Sequence, residues 1–210
     1  MADLQTISES LQQGNAPKVK ELVQQAVDEG VPVKEILDSA LIAAMGIIGA
    51  KFKRNEVYVP EVLIAARAMN AGMDVLKPLL ENAGIEPIGK VAIGTVKGDL
   101  HDIGKNLVAM MLRGAGFEVV DLKIDVSPEQ FVEAAKSGCR VIGLSALLTT
   151  TMPQMANVIN AVRESGVTDT KVIIGGAPVT QAYADEIGAD GYAADAASAV
   201  DVAKSLFGVG

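Results

Sequence analysis

The sequence predicts a two-part α/β protein, a helical bundle followed by a parallel sheet covered on both faces, and three observations carry that prediction. Up to about residue 83 the apolar positions recur every three or four residues, the period of helices that bury one face. After Pro87 short β-rich runs alternate with helical ones, the rhythm of right-handed βαβ units. Half of the chain is apolar, yet aromatics make up only 3% and there is no Trp. Alanine, valine, isoleucine and glycine dominate instead, as close packing of helices on a parallel sheet requires.

In the first part, Leu4, Ile7 and Leu11 define one helix, and Val19, Leu22, Val23, Ala26 and Val27 a second. Gly14-Asn15 and Gly30 punctuate them, and Pro17 and Pro32 stand where a following helix can begin. A third helix is expected from Val33 to Phe52. Lys53-Arg54-Asn55-Glu56 forms a polar turn, and Pro60 opens a fourth helix, Glu61 to about Leu80, ended by Asn82-Ala83-Gly84. Four such helices with short connections make a bundle.

The second part reads as Lys90–Val96, Glu118–Lys123, Val141–Ser145, Lys171–Gly175 and Gly191–Ala193 for strands. The alternating helices are Ile103–Ala115, Pro128–Ser137, Pro153–Ser165, Thr180–Ile187 and Ala196–Phe207. This is a Rossmann-like (flavodoxin-like) five-stranded parallel sheet domain, whose ligands bind beyond the carboxyl ends of the strands. The expected division is 1–83 for the helical bundle, 84–89 for a linker and 90–210 for the α/β domain. No internal repeat or low-complexity segment is evident.

Charge and composition exclude several classes. A formal charge of −8 argues against a nucleic-acid surface, which needs clustered cations. No apolar run reaches the ~18–20 residues of a membrane helix, and the acidic N-terminus does not resemble a signal peptide. One cysteine, Cys139, fits a reducing cytoplasm and is expected to be a partly buried small residue.

The chemistry concentrates after the first strand, in Gly98-Asp99-Leu100-His101-Asp102-Ile103-Gly104-Lys105-Asn106. His101 is the only histidine, which excludes multi-histidine zinc sites. A lone histidine is ordinarily structural, but this one stands at a ligand-facing loop with Asp99 two residues before it. Asp99 is close enough to accept a hydrogen bond from one ring nitrogen while the other faces outwards, the arrangement that orients a metal-binding imidazole. Gly98 and Gly104 leave no side chains to obstruct a large flat ligand. A phosphate-binding P-loop fails on spacing, because five residues separate those glycines and Asn106 follows the lysine. GxGxxG is missing. A hydrolytic triad lacks a nucleophile motif. Asp102 is expected to cap the next helix, and Lys105 to be a surface charge. Methionines 45, 69, 73, 110, 111, 152 and 155 mostly fit core spacing.

Asp99-Leu100-His101-Asp102-Ile103-Gly104 fits the DxHxxG signature of cobalamin-binding domains. Gly143-Leu144-Ser145 and Gly175-Gly176 match the other two parts of the pattern, in order and each at a strand end. In the helical part, residues Phe52 to Val62 resemble the cap bundle of methyl-transferring corrinoid proteins, including the cobalamin module of methionine synthase. The likeness covers nearly the whole chain, and the sequence resembles the stand-alone corrinoid proteins that serve methylamine, methanol, methoxyaromatic or betaine methyltransferases in anaerobic one-carbon metabolism.

That resemblance implies a set of roles. His101 would replace the cofactor's own base as the lower cobalt ligand, with Asp99 tuning its proton and Thr151 as the third partner, where methionine synthase has serine. Gly98, Asp102, Ile103 and Gly104 would complete the ligand loop. Ser145, Leu147 and Thr149 would line the slot for the displaced nucleotide tail. Gly175, Gly176 and Ala177 would let the backbone approach it, and Tyr192, Ala194 and Asp195 would close it. Phe52, Tyr58, Val59 and Val62 match cap positions that shield the upper face, Tyr58 departing from the more usual phenylalanine. The implied cofactor is cobalamin alternating between cob(I)alamin and methylcob(III)alamin. The implied partners are a substrate:corrinoid methyltransferase, a corrinoid:tetrahydrofolate or thiol methyltransferase, and a reductive activase, with no nucleic acid and no membrane. The chain would be a cytoplasmic methyl carrier and not a complete enzyme. The cap would move aside for each partner on the 84–89 hinge. Two other cobalamin readings remain: the small subunit of an adenosylcobalamin mutase, which normally lacks such a cap, and a cobalamin-based sensor, which would carry an output module and a tryptophan in its cap. A non-corrinoid receiver-like domain would want an aspartate after the third strand, where Ser145 stands.

Overall fold

The computed structural model describes residues 3–209. It falls into two compact units, one of residues up to Pro87 together with Gly114–Gly116, the other of Ile88–Arg113 and Phe117 onwards.

The first unit is helical. Asp3 and Asn15, whose side chains accept from the Gln5 and Lys18 amides, start α1 (Leu4–Gln12) and α2 (Ala16–Asp28). α3 (Val33–Glu35) runs directly into a π-helical stretch (Ile36–Ile42) and then α4 (Ala43–Lys53), with helical backbone angles at both junctions. The expected third helix is therefore continuous but widened at its middle, which apolar spacing alone does not reveal. α5 (Val59–Asn82) begins one residue before Pro60, and its N-terminus is closed by the Tyr58 amide donating to Glu61 at 3.0 Å. The core of this unit is made by Ile7, Leu11, Val19, Val23, Ile36, Leu41, Ile48, Val62, Met69 and Leu76, all buried.

In the second unit the strands are β1 (Lys90–Val96), β2 (Glu118–Val126), β3 (Val141–Ser145), β4 (Lys171–Gly175) and β5 (Gly191–Ala193). They form one parallel sheet in the order β2-β1-β3-β4-β5, alternating with α6 (Ile103–Gly114), α7 (Pro128–Lys136), α8 (Pro153–Glu164), α9 (Gln181–Ile187) and α10 (Ala196–Phe207). Ala92, Val96, Phe131, Ile142, Leu144, Met155, Ile159 and Ile174 belong to one buried cluster of this unit. The chain leaves β1 for β2 on one side, and β3 lies on the other, so the loops after β1 and β3 part at the β1/β3 edge. That is the switch point where such sheets hold ligands.

Three expectations change. β2 runs three residues beyond Lys123, through two register shifts against β1. Lys105 is not a surface charge: it is buried, and its ammonium donates to Asp121 at 2.6 Å and to the Asn106 side chain at 2.7 Å. Its helical position turns it onto β2, where only a carboxylate partner makes burial of the cation tolerable. Cys139 is fully buried, and burial pushes its thiol above the usual range, which leaves it inert. Of the methionines, Met45, Met69, Met111 and Met155 are buried, and Met73, Met110 and Met152 partly so.

Candidate functional site

The loop after β1 is organised around Asp99, whose side chain is fully buried. One carboxylate oxygen accepts from the His101 ring Nδ1 at 2.8 Å and from the His101 amide at 3.1 Å. The other accepts from the Leu147 amide at 2.8 Å, the Leu148 amide at 3.2 Å and the Thr151 hydroxyl at 2.8 Å. Burial by itself would push this carboxyl up. The Leu147 and His101 amides, the His101 ring and Thr151 together outweigh it and hold the group well below the usual carboxylate range. A buried ion with five donors is satisfied, and it ties the β1 loop to the β3 loop.

His101 is fixed by the same contacts. An ionised carboxylate only accepts hydrogen bonds, so Nδ1 carries a proton, and it is the neutral form of this ring that offers its lone pair at Nε2. The Thr95 hydroxyl holds the His101 carbonyl at 2.8 Å from inside the sheet. The imidazole itself is about half exposed, 51% of its side-chain surface. Asp102 occupies the cap position of α6 through its carbonyl, which accepts from the Asn106 amide at 2.7 Å, while its carboxylate accepts from the Asn106 side chain at 2.9 Å.

The surface beside this imidazole is apolar. Leu100 is 66% exposed and Ile103 80%, and Leu147 and Leu148 on the adjoining loop are exposed as well. Large aliphatic side chains left open on two neighbouring loops mark a binding surface. Over Gly104 a Cβ would meet nothing within 4 Å, so the space there is open. The residues fit a corrinoid: one imidazole held through Nδ1 with its other edge exposed, and an apolar surround for a broad ring. Among the described residues no cluster of three His, Cys, Asp or Glu could hold a metal without such a ring.

The remaining expected residues divide. Ser145 ends β3 and pairs with Thr95 and Gly175, half-buried, and Thr149 is exposed in the turn that follows. Gly176 has φ +134°, and a Cβ there would stand 1.9 Å from the Ala146 carbonyl oxygen; at Gly175 it would stand 3.0 Å from that of Ala193. The protein's own backbone thus demands the first of these glycines, where the sequence pointed to the cofactor tail. Ala177 and Ala194 are exposed and Tyr192 is half-buried. The Asp195 carboxylate is engaged as the cap of α10, accepting from the Ser198 amide at 2.7 Å. In the helical unit Tyr58 and Val59 are exposed and Phe52 half-buried, whereas Val62 is buried and presents no surface.

Sequence reasoning missed Leu100, Leu148, the Lys105–Asp121 pair and Asp125. Asp125 accepts from the Gly98 amide at 2.7 Å. The sequence signal of the two aspartates was slight, because Lys123 and Asp125 have a left-handed backbone and interrupt the regular alternation of a strand.

Residues 89–201 match the family model described as a B12 binding domain, and residues 4–77 match a second model of the same description. The chain is 44% identical over 206 residues to the dimethylamine corrinoid protein of Methanosarcina barkeri, covering 97% of this chain and 96% of that one. The chain belongs to the corrinoid proteins of methyltransferase systems. A corrinoid protein of Desulfitobacterium hafniense is 39% identical over 213 residues, 99% of each chain. Among solved structures, a cobalamin-binding protein of Desulfitobacterium hafniense superposes with a TM-score of 0.81 at 31% identity, covering 98% of this chain and 99% of that one. A chain of the methanol:cobalamin methyltransferase complex of Methanosarcina barkeri gives 0.85 at 30% identity, covering 96% and 78%. This corrinoid protein binds cobalamin, and none of its helices among the described residues is long and apolar enough to cross a membrane.

Proposed function

We propose that this corrinoid protein is a methyl carrier in which His101 Nε2 is the lower ligand of the cobalamin cobalt. Bound cobalamin supplies a nucleophilic cobalt able to accept a methyl group and give it up. The chain's residues hold, orient and shield. Asp99 keeps the proton on Nδ1, which makes Nε2 a better donor, and the Leu147 and Leu148 amides keep Asp99 charged. Thr151 keeps the carboxylate from turning. Leu100, Ile103 and Leu147 are exposed apolar side chains that would exclude water from a corrinoid bound beside His101. Gly98, Asp102 and Gly104 shape that loop. Ser145, Thr149, Gly175, Gly176, Ala177, Tyr192, Ala194 and Asp195 would border the nucleotide tail, and Phe52, Tyr58 and Val59 would supply the apolar cover that the resemblance implies, a role the fully buried Val62 cannot share.

The relatives named for dimethylamine and methanol support a partner methyltransferase that brings the methyl group from a small methylated amine or alcohol. A second methyltransferase then passes it to tetrahydrofolate or a thiol, and a reductive activase restores cobalt that has become oxidised.

The observation that carries this reading is the His101 ring, with Nδ1 held 2.8 Å from a buried carboxylate and the other edge exposed. The test uses the chain's single histidine. Protein labelled with 15N-histidine and loaded with cobalamin in its cobalt(II) form should show altered nitrogen splitting in the EPR spectrum. Splitting identical to that of unlabelled protein refutes ligation by His101.

A further inference from the structure

We infer that Asp125 is a positioning residue for the His101 imidazole, acting through a two-point clasp on the Gly98–Asp99 segment.

β2 reaches this segment only by irregularity. Against β1 its register slips between Ile93 and Gly94 and again between Gly94 and Val96, so β2 carries extra residues at its end. Lys123 and Asp125 there have φ +74° and +55°, the left-handed region that residues other than glycine seldom occupy. Two such residues within three positions are a cost to the strand, and what they produce is contact with the site loop. The Asp125 carboxylate accepts from the Gly98 amide at 2.7 Å, and the Asp125 amide donates to the Asp99 carbonyl at 3.2 Å. Gly98 itself has φ +81° and could turn freely without such a grip.

The clasp bears on His101 because Asp99 lies inside it. The Asp99 amide is also bound to the Val96 carbonyl at 3.1 Å, so the backbone on both sides of its Cα is fixed. That leaves the carboxylate little freedom, and its 2.8 Å bond to Nδ1 sets the ring's tautomer and direction. Asp125 touches neither the ring nor the space beside it in any of these contacts. It acts through Asp99.

The inference rests on the proposed orienting role of Asp99, but its test needs no cobalamin. Because His101 is the only histidine, 15N-histidine labelling of the full chain gives one imidazole signal in NMR. In buffer alkaline enough to keep imidazoles neutral, the parent should show the Nδ1–H tautomer. Asp125→Gly keeps the positive φ at no steric cost and removes the carboxylate, so the Nε2–H tautomer should rise to a comparable population. Asp125→Asn retains an acceptor oxygen and should restore the parent signal. In the loaded protein, Asp125→Gly should weaken cobalamin binding about ten-fold, the usual size of such outer contacts. A lower melting temperature with an unchanged tautomer in Asp125→Gly would mark a merely structural residue and overturn the inference. If that variant does not fold, hydrogen exchange of the parent decides. The Gly98 amide should be protected despite its exposed loop, and exchange at the rate of an unbonded loop amide overturns the clasp. Failure of the cobalt EPR test would sink the ligand reading and leave the tautomer result standing.

Discussion

The Thr151 hydroxyl donates to the Asp99 carboxylate at 2.8 Å across 52 residues of sequence, and both side chains are buried. The hydroxyl also lies 2.9 Å from the Leu148 carbonyl, so its single proton has two acceptors and its oxygen is held in place. This bond joins the loop that presents His101 to the loop that begins α8. It turns a flexible two-residue spacing into a fixed orientation of the imidazole.

Thr151→Val replaces the hydroxyl by a methyl of similar size and removes one donor from a buried charge. Urea denaturation should show a loss of about 2 kcal/mol. Thr151→Ser should recover most of it. A full loss in Thr151→Ser with none in Thr151→Val would mean that packing of the methyl group, and not the hydrogen bond, is what Thr151 contributes.

Asp99→Asn changes no volume but brings an NH2 group against donors whichever way the amide turns. One side faces the His101 amide and ring, the other the Leu147 and Leu148 amides and Thr151. Stability should fall by about 3 kcal/mol, as when hydrogen bonds to a buried charged group are lost and their donors are left unpaired. The visible spectrum of the loaded variant should also move towards that of cobalamin without the imidazole ligand. A variant with both properties unchanged contradicts the five-donor site.

Acid should expose the two most strongly depressed carboxylates. Asp121 is lowered from 3.8 to about 2: burial opposes the shift, and the Lys105 and Lys123 ammonium groups drive it. Asp99 shifts in the same direction. Between these values the unfolded chain binds protons that the folded chain does not. The stabilisation is therefore complete above the ordinary carboxylate range and is lost as pH falls. For Asp121 it should amount to about 2 kcal/mol, disappearing between about pH 4 and about pH 2. Urea midpoints across that range should be flatter in Asp121→Asn, and an unchanged slope would count against the pairing.

Lys105→Met keeps the aliphatic stem but withdraws a buried cation from Asp121. The loss should be about 3 kcal/mol, at the lower end for broken buried pairs, because Lys123 still reaches Asp121 at 2.9 Å. Thermal melts of the cofactor-free protein measure it. A surface role for Lys105 would predict almost no change.

Gly176→Ala should fail to accumulate as folded protein, with or without cobalamin, because its Cβ would overlap the Ala146 carbonyl oxygen. If it folds normally and only loses affinity for cobalamin, the demand for glycine comes from the tail and not from the backbone.

What was legible in the sequence was local. Apolar periodicity placed the bundle helices, and βαβ alternation placed five strands, four of them with the observed ends. β2 escaped because Lys123 and Asp125 adopt a left-handed backbone that strand patterns do not anticipate. DxHxxG, Gly143-Leu144-Ser145 and Gly175-Gly176 were readable because each lies at the end of one strand. Lys105 was misread for the opposite reason. At a helix start a lysine looks like a surface residue, and nothing nearby in sequence announces a carboxylate on β2.

The sequence by itself determined the α/β class and the corrinoid family, and it singled out His101 as the proposed ligand, since a single histidine in a recognisable motif leaves no other imidazole to consider. Only the tertiary structure decided how that imidazole is held. Asp99 gathers donors from its own loop and from the loop after β3, and Asp125 reaches Gly98 from the irregular end of β2. Residues distant along the chain meet there because parallel strands all end at the same edge of the sheet. Hydrogen bonds act over about 3 Å of space, whatever the separation in sequence.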